Sequence, residues 1–264
     1  MIWRGWGKGP GLVLLHGGQG SWAHWVRNIA DLAKHYEVWV VDLPGMGESA
    51  MPLEPWNEKT IAMQLVESTQ TILKGSFFDL VGFSFGGLIA GHMAALHPAM
   101  LRSLTLVGAP ALGLPVAKLD LRRWRGIPEG NARDEVHRHN MLQLMIGDVG
   151  SVDELALAIQ RFTNEVVELR SRSLALGDSL SQALAKVAVP THGIWGMDDV
   201  LVRGQHEALK TILARFNVGL EFIPAAGHWV QYERAAQFDK ALRTWLNRVA
   251  NLRGVNQSAM VSGL

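Results

Sequence analysis

The sequence predicts an α/β fold in which a mostly parallel central sheet is covered by helices on both faces. Short apolar runs alternate along the chain with longer stretches whose apolar residues recur at helical spacing. Such alternation is typical of parallel β-α-β units, whose strands are buried on both sides. The alternation stops after residue 110 and returns at residue 187, which predicts one long insertion. Because a chain of 264 residues commonly builds one α/β core, we expect a single domain that carries this insertion.

The predicted elements follow one another regularly before the insertion and again after it. Helices are expected where one face of the pattern returns every three to four residues, as it does at Ile61, Leu65, Thr69 and Ile72. The predicted strands cover residues 11–15, 36–41, 77–81, 101–107, 187–195 and 220–223. The predicted helices cover residues 25–34, 60–73, 88–96, 204–215 and 235–250.

The chain divides into a core, a cap and a tail. Residues 1–110 and 187–250 carry the predicted strands and are assigned to the α/β core. Residues 111–186 contain helical patterns but no convincing strand and are rich in arginine, so we expect a helical cap. Residues 251–264 are small and polar, and we expect them to form a flexible tail.

Composition argues against several classes of function. The formal net charge of +1 argues against nucleic acid or an acidic membrane surface as the main partner. The sequence has no cysteine, so disulfides, a thiol nucleophile and cysteine-bound metals are excluded, and no His-Glu-x-x-His motif indicates a metal site. No apolar run reaches the length of a membrane span, and the first residues lack a signal-peptide pattern. We expect a cytoplasmic protein that acts on a small molecule without cofactor or metal, and we leave its oligomeric state open.

The stretch from residue 77 to residue 91 carries the strongest signal for chemistry. An apolar run leads into Gly82-Phe83-Ser84-Phe85-Gly86 and then into a helical pattern. This is a Gly-x-Ser-x-Gly motif between a strand and a helix. The glycines leave room for a sharp turn that lifts the serine hydroxyl above the sheet, and the helix points its first N–H groups at the same place. This context predicts a nucleophilic Ser84, rather than a glycine-rich turn without chemistry.

A serine nucleophile needs a histidine base and a carboxylate that orients the histidine. Asp198 and Asp199 follow one predicted strand, and His228 follows the next. Because parallel strands end at the same edge of a sheet, we expect these side chains to share one rim with Ser84. The order serine, aspartate, histidine therefore predicts a catalytic triad in which either aspartate could be the acid.

Across nearly its whole length the sequence resembles the α/β-hydrolase superfamily. The matching motifs are His16-Gly17, Asp42-x-Pro44-Gly45-x-Gly47-x-Ser49, Gly82-x-Ser84-x-Gly86, Gly196-x-x-Asp199 and Gly227-His228. The resemblance implies that Ser84 is the nucleophile, that His228 is the base and that Asp199 orients it. It also implies an oxyanion hole made by the backbone N–H groups of Gly18 and Phe85. The first strands of the family fold are expected to be truncated, because few residues precede the first predicted strand.

Two segments resemble one group within that superfamily, the meta-cleavage-product hydrolases, which split C–C bonds in vinylogous diketones. These segments are residues 160–164 and residues 228–233. The resemblance implies that Arg161 and Trp229 bind substrate. The chain departs from the group at Phe83, where asparagine is usual, and at His24, where a polar amide is common. Both residues are expected to face the substrate and to make its binding site less polar.

These features predict a serine hydrolase that works through an acyl-enzyme, most simply a carboxylesterase for a small apolar or aromatic acyl ester. Losing a hydrogen-bonding partner for a buried polar head group costs about 1–3 kcal/mol, so Phe83 and His24 together outweigh Arg161. A C–C bond hydrolase of the meta-cleavage-product type is the first alternative. A non-catalytic ligand-binding protein with the same fold is the alternative from another class.

A dinucleotide-binding site is a further interpretation of the first glycine-rich loop. Gly18-x-Gly20-x-x-Ala23 follows a predicted strand, and Asp42 ends the next one. This interpretation leaves the serine motif and His228 without a role, so we consider it the weaker one.

Overall fold

One sheet forms the centre of the molecule. The computed structural model describes residues 1–116, 118–169 and 171–261, with side chains up to residue 253. Within these residues the strands are β1 (Trp3–Trp6), β2 (Gly11–Leu15), β3 (Glu37–Val41), β4 (Phe78–Phe83), β5 (Leu101–Val107), β6 (Thr191–Gly196) and β7 (Gly219–Ile223). They lie in the order β1-β3-β2-β4-β5-β6-β7. Only β1 runs antiparallel to its neighbour, which confirms the predicted, mostly parallel α/β sheet.

Strand β1 is an element that the sequence analysis missed. Its four residues, Trp-Arg-Gly-Trp, are interrupted by a charge and a glycine and so lack an apolar run. The strand forms because β3 offers a free edge, with which it pairs from Trp3 opposite Val41 to Trp6 opposite Val38. Gly5 is required there, since a Cβ atom at this position would lie 2.8 Å from the Trp39 ring. Tertiary pairing therefore overrides a weak local signal.

Helices pack against the sheet, and further helices lie in the connection between β5 and β6. They are α1 (Ile29–Leu32), α2 (Glu58–Leu73), α3 (Phe85–Leu96), α4 (Asn131–Leu144), α5 (Glu154–Val166), α6 (Ser179–Leu184), α7 (His206–Ala214), α8 (Val230–Glu233) and α9 (Ala235–Val261). Among the described residues between β5 and β6 there is no strand, and this segment holds α4, α5 and α6. No described helix is long and apolar enough to cross a membrane. A cytoplasmic location stays a prediction.

Three predicted boundaries differ from the structure. The helix predicted at residues 25–34 is replaced by a 3₁₀ turn at Trp22–Trp25, capped by the Ser21 hydroxyl, and by the short α1. β6 begins only after Pro190, whose ring nitrogen has no hydrogen to donate to the sheet. Helix α9 continues eleven residues beyond Ala250, through much of the segment predicted to be a flexible tail. Residues 262–264 of that predicted tail lie outside the described residues.

The hydrophobic core consists of two layers, one on each face of the sheet. Strand β4 shows the alternation: Leu80 packs into the layer that contains α2 and α3, whereas Val81 packs into the layer that contains Phe238 and Leu242 of α9. Each of these four side chains is fully buried. Burial on both faces explains why the strands read as continuous apolar runs. The carboxyl ends of β4, β6 and β7 lie at one edge of the sheet, with β5 between β4 and β6, and the candidate site lies at that edge.

Candidate active site

Ser84 occupies a strained turn between β4 and α3. Its φ of 51° and ψ of −121° place it in a region that residues other than glycine rarely adopt. A Cβ atom at Gly82 would lie 2.3 Å from the Gly86 carbonyl oxygen, and one at Gly86 would lie 2.4 Å from the His16 carbonyl oxygen. Neighbouring backbone therefore approaches both positions so closely that only glycine fits. The Ser84 N–H donates to the Val107 carbonyl at 2.7 Å, which ties the turn to β5.

Three side chains from separate loops form one hydrogen-bonded chain. Ser84 Oγ lies 2.9 Å from His228 Nε2, and His228 Nδ1 lies 2.8 Å from Asp199 Oδ2. His228 is 2% exposed and Asp199 is not exposed at all. Because an ionised carboxylate only accepts hydrogen bonds, Nδ1 carries the imidazole hydrogen and Nε2 is free to accept from the serine hydroxyl. The side chain of Asp198 is exposed instead.

The loop after β2 is held by two buried histidines. His16 Nδ1 donates to the Gly17 carbonyl at 2.7 Å, and its Nε2 accepts from the Leu43 N–H at 2.9 Å. His24 Nδ1 accepts from the Gly17 N–H at 3.2 Å. Burial lowers the pKa of both histidines, and for His24 the neighbouring His16 and His228 lower it further. The lowered pKa of both rings favours their neutral form, in which they hold the loop without adding charge beside Ser84.

Gly18 lies against Phe85, the residue that follows Ser84 in the chain. Phe85 opens α3, so its N–H precedes the first hydrogen bonds of the helix. A Cβ atom at Gly18 would lie 3.4 Å from Phe85 Cβ and 2.5 Å from the Ser171 hydroxyl oxygen. Both residues line the same cavity as Ser84. Ser171, which is buried, gave no signal in the sequence because it lies far from every recognised motif.

A cavity of about 460 Å³ opens over Ser84. The segment between β5 and β6 supplies most of its apolar lining, through Leu112, Leu114, Val116, Leu119, Leu121, Leu144, Met145 and Leu176. Its polar side chains are few and include Gln19 and Ser171. Arg172, itself exposed, is the single residue of the types lysine, arginine, aspartate and glutamate among the described lining residues. The site thus suits a mostly apolar ligand that reaches the serine with a polar centre.

Sequence comparison identifies the family. The sequence model of the alpha/beta hydrolase family matches residues 12–241, which is most of the chain. The chain belongs to this family. The superfamily resemblance seen in the sequence is thereby confirmed, and the protein is an α/β-fold hydrolase.

Relatives of this hydrolase act on different bonds. It is 27% identical over 249 residues to a 2-hydroxy-6-oxo-6-phenylhexa-2,4-dienoate hydrolase of Comamonas testosteroni, covering 89% of this chain and 86% of the relative. It is 39% identical over 126 residues to a pimeloyl-[acyl-carrier protein] methyl ester esterase of Vibrio vulnificus (strain YJ016), covering 47% and 45%. An esterase from Rhodococcus sp. ECU1013 has a similar fold, with a TM-score of 0.76, 22% identity and 94% of each chain covered.

Two of the four predicted substrate-binding residues line the cavity of the hydrolase, and two do not. His24 and Phe83 are part of the lining, and their contact with substrate stays a prediction. Trp229 lies outside it, because the indole is buried, stacks on Tyr232 and donates to the His24 carbonyl at 2.9 Å. A contact between Trp229 and substrate stays a prediction, which this packing does not favour.

Arg161 also lies outside the cavity lining. Its Nε and Nη2 atoms bind the two carboxylate oxygens of Asp134 at 2.7 and 2.6 Å. This two-point ion pair joins α5 to α4, and the pKa of Asp134 is lowered by the hydrogen bond from Arg161. The sequence around Arg161 thus resembles that of the meta-cleavage-product hydrolases, but the Arg161 side chain is ion-paired with Asp134 of the neighbouring helix.

The contacts of Asp42 argue against the dinucleotide interpretation of the first loop. Its buried carboxylate accepts from the backbone N–H groups of Trp22 and Glu48 and pairs with Arg4. These contacts hold the β2 and β3 loops together and use both oxygens of the carboxylate. Among the described residues, no three histidine, aspartate or glutamate side chains are grouped as a metal ion requires.

Proposed function

We propose that this hydrolase is a serine carboxylesterase for small apolar or aromatic acyl esters. The observation that carries the proposal is the chain of hydrogen bonds from Ser84 through His228 to the buried Asp199, at the floor of an apolar cavity. In this proposal Ser84 is the nucleophile, His228 the general base and Asp199 the group that orients it. The N–H groups of Gly18 and Phe85 form the oxyanion hole.

The first half-reaction transfers the acyl group to the enzyme. His228 Nε2 takes the hydroxyl proton of Ser84 as Oγ attacks the ester carbonyl carbon. The carbonyl oxygen becomes an oxyanion that accepts hydrogen bonds from Gly18 and Phe85, and one such donor typically accounts for about 10²–10³ in rate. The tetrahedral intermediate then collapses, and His228 gives its proton to the departing alkoxide, so an alcohol leaves.

The second half-reaction restores the serine. His228 takes a proton from a water molecule, whose oxygen attacks the acyl carbon on Ser84 Oγ. The new oxyanion collapses, Ser84 recovers its proton from His228, and the carboxylic acid leaves. Asp199 stays ionised throughout and stabilises the imidazolium that forms in both halves.

The lining of the cavity favours an apolar acyl group. The leucines, Val116 and Met145 come from the segment between β5 and β6, and we propose that residues 111–186 act as a cap that covers this group. Burying a side chain of the size of leucine or phenylalanine stabilises a complex by about 1.5–3 kcal/mol. A chain of several methylene groups or a phenyl ring therefore gains more from this cavity than a strongly polar acid does.

C–C bond cleavage is the second candidate, because the Comamonas testosteroni relative aligns over 89% of this chain. That reaction asks the protein to hold an enolate and a carboxylate as well as to attack a carbonyl. Phe83 and His24 stand where polar amides are common in such enzymes, and Arg161 is bound to Asp134. The polar partners that a dienoate needs are therefore reduced, and the ester is the better-supported substrate.

The decisive experiment offers both substrate classes to the purified protein. We expect short aryl esters to be hydrolysed and a vinylogous 1,5-diketone acid to be turned over at least a hundredfold less efficiently in kcat/KM. A serine-directed phosphonate should label Ser84, and Ser84→Ala should lose several orders of magnitude in kcat while still binding substrate. Preference for the diketone acid would transfer the assignment to C–C cleavage. Unchanged activity in Ser84→Ala would end both proposals.

A further inference from the structure

The loop that carries His228 meets a loop of the segment between β5 and β6 backbone to backbone. The Trp229 N–H donates to the Met145 carbonyl at 2.7 Å. A Cβ atom at Gly227 would lie 2.4 Å from the Gly147 nitrogen, so neither loop could move closer and no larger residue fits. The two loops, residues 145–148 and residues 227–229, are therefore in direct contact around the histidine.

The carboxylate of Glu233, at the end of α8, bridges these two loops. One of its oxygens accepts from the Gly227 N–H at 2.6 Å, and the other accepts from the Asp148 N–H at 3.0 Å. The Gly147 N–H lies between them, at 3.0 and 3.1 Å from the two oxygens. The side chain is buried, and an ionised carboxylate is well suited to accept all three donors because neither of its oxygens carries a hydrogen.

The surroundings of Glu233 have opposing effects on its charge. Burial raises the pKa of Glu233, while the three backbone N–H groups and Arg234 favour the ionised form. No role in the proposed reaction requires this carboxylate, and it does not line the cavity above Ser84. Its three hydrogen bonds all go to backbone that supports other residues.

We infer that Glu233 is a positioning residue that holds the 145–148 and 227–229 loops as one unit and thereby keeps His228 within reach of Ser84. The inference rests on the proposed role of His228 as the base. Met145, the first residue of the 145–148 loop, and Leu144, which ends α4 just before it, line the substrate cavity. The two loops together therefore connect the cavity lining, which is proposed to contact the acyl group, with His228, which is proposed to transfer the proton.

The test replaces Glu233 by glutamine, which has nearly the same shape. An amide has one accepting oxygen, so its NH₂ group must face either the Gly227 or the Asp148 N–H, and one loop is released. A misplacement of about 1 Å in a catalytic group lowers the rate by about 10²-fold. We expect Glu233→Gln to lose about that factor in kcat for an aryl ester, with KM little changed.

The matched control is Asp79→Asn. Asp79 is also a buried carboxylate, bound by Arg102 and Ser103, but it lies near the amino end of β4, at the opposite edge of the sheet from the site. Its replacement should lower the midpoint of thermal unfolding while kcat stays within about twofold of the wild type. An equal loss of kcat in Asp79→Asn would mean that destabilisation alone explains the effect of Glu233→Gln.

A double-mutant cycle separates positioning from general loosening. If Glu233 acts through His228, Glu233→Gln should change the residual rate of His228→Ala by less than about twofold. The inference would be overturned if Glu233→Gln lowered the rate equally in the wild type and in His228→Ala, or if it lowered the rate in neither. Glu233→Asp, which keeps the charge but is too short to reach both loops, should repeat the loss of kcat and serves if the glutamine variant does not fold.

A crystal structure of Glu233→Gln tests the inference without any substrate. The distance from His228 Nε2 to Ser84 Oγ should lengthen from 2.9 Å, and one of the two loops should shift. An unchanged site would overturn the positioning role even in an active esterase. If the wild-type protein hydrolyses neither esters nor diketone acids, the proposed function fails while the displacement of His228 can still be judged.

Discussion

Asp198 and Asp199 are chain neighbours in opposite environments. Asp199 is fully buried, contacts His228 and also accepts the Leu201 N–H at 2.9 Å, which fixes its carboxylate. Asp198 directs its side chain to solvent, and its backbone carbonyl accepts from Arg203. Consecutive side chains of a tight loop diverge, so only one aspartate can serve the histidine.

Substitution of the two aspartates should give very unequal effects. Asp199→Asn should lower kcat by about 10³- to 10⁴-fold, because an amide can hold the imidazole in the wrong tautomer. Asp198→Asn should stay within about twofold, as exposed substitutions usually do. Steady-state kinetics on an aryl ester measure both, with circular dichroism as a check that each variant is folded. The reverse ranking would transfer the acid role to Asp198.

At the scale of elements, the segment between β5 and β6 combines an apolar inner face with an ion-paired outer one. Leu144 at the end of α4 reaches the cavity, whereas Asp134 at the start of the same helix pairs with Arg161 of α5. The 3₁₀ turn at Ser171–Ser173 brings Ser171 and Arg172 to the cavity instead. Apart from Ser84 and His228, the polar side chains of the described cavity lining come from this turn and from the segment after β2.

The pairing of Arg161 predicts that it does little in catalysis. Arg161→Ala should change kcat/KM for an aryl ester by less than about threefold, because the guanidinium is held by Asp134 and does not reach the cavity. Asp134→Ala is the matched control, since it removes the other half of the same pair and should have the same small effect. A large loss confined to Arg161→Ala would show that the guanidinium leaves Asp134 to bind substrate.

At the scale of the whole molecule, buried hydrogen bonds from Asn28 connect helix α9 with helix α8, which follows His228 in the chain. Asn28 donates to Asp239 of α9 at 2.8 Å and to the Gln231 carbonyl of α8 at 3.0 Å. Burial raises the pKa of Asp239 to about 7, and the Asn28 hydrogen bond only partly opposes this. The folded protein therefore binds this proton more tightly than the unfolded chain does.

Stability should consequently depend on pH through Asp239. A folded-state pKa above the ordinary 3.8 gives a contribution that is complete below about pH 4 and lost as the pH rises through about 7. Asp239→Asn cannot titrate, so the free energy of unfolding of the wild type relative to this variant should fall by at most about 4 kcal/mol between pH 4 and pH 8. Urea unfolding of both proteins at several pH values measures the difference. A difference that is constant with pH would contradict the assignment.

Local pattern predicted the strands and the serine motif because each is determined by adjacent residues. Strands buried on both faces must be apolar throughout, and a turn as tight as that at Ser84 requires Gly82 and Gly86. Strand β1 was missed for the complementary reason: its pairing is decided by the edge of β3 and by the fit of Gly5 against Trp39.

The sequence by itself determined the fold class, the family and the order of serine, aspartate and histidine, because these depend on periodicity and on spacing along the chain. Tertiary structure alone decided which side chains meet. It buried Trp229 against Tyr232, paired Arg161 with Asp134, brought Ser171 beside Gly18 and set Glu233 between two loops. The physical reason is that the direction of a side chain depends on contacts with residues distant in sequence, and the local sequence pattern does not encode these contacts.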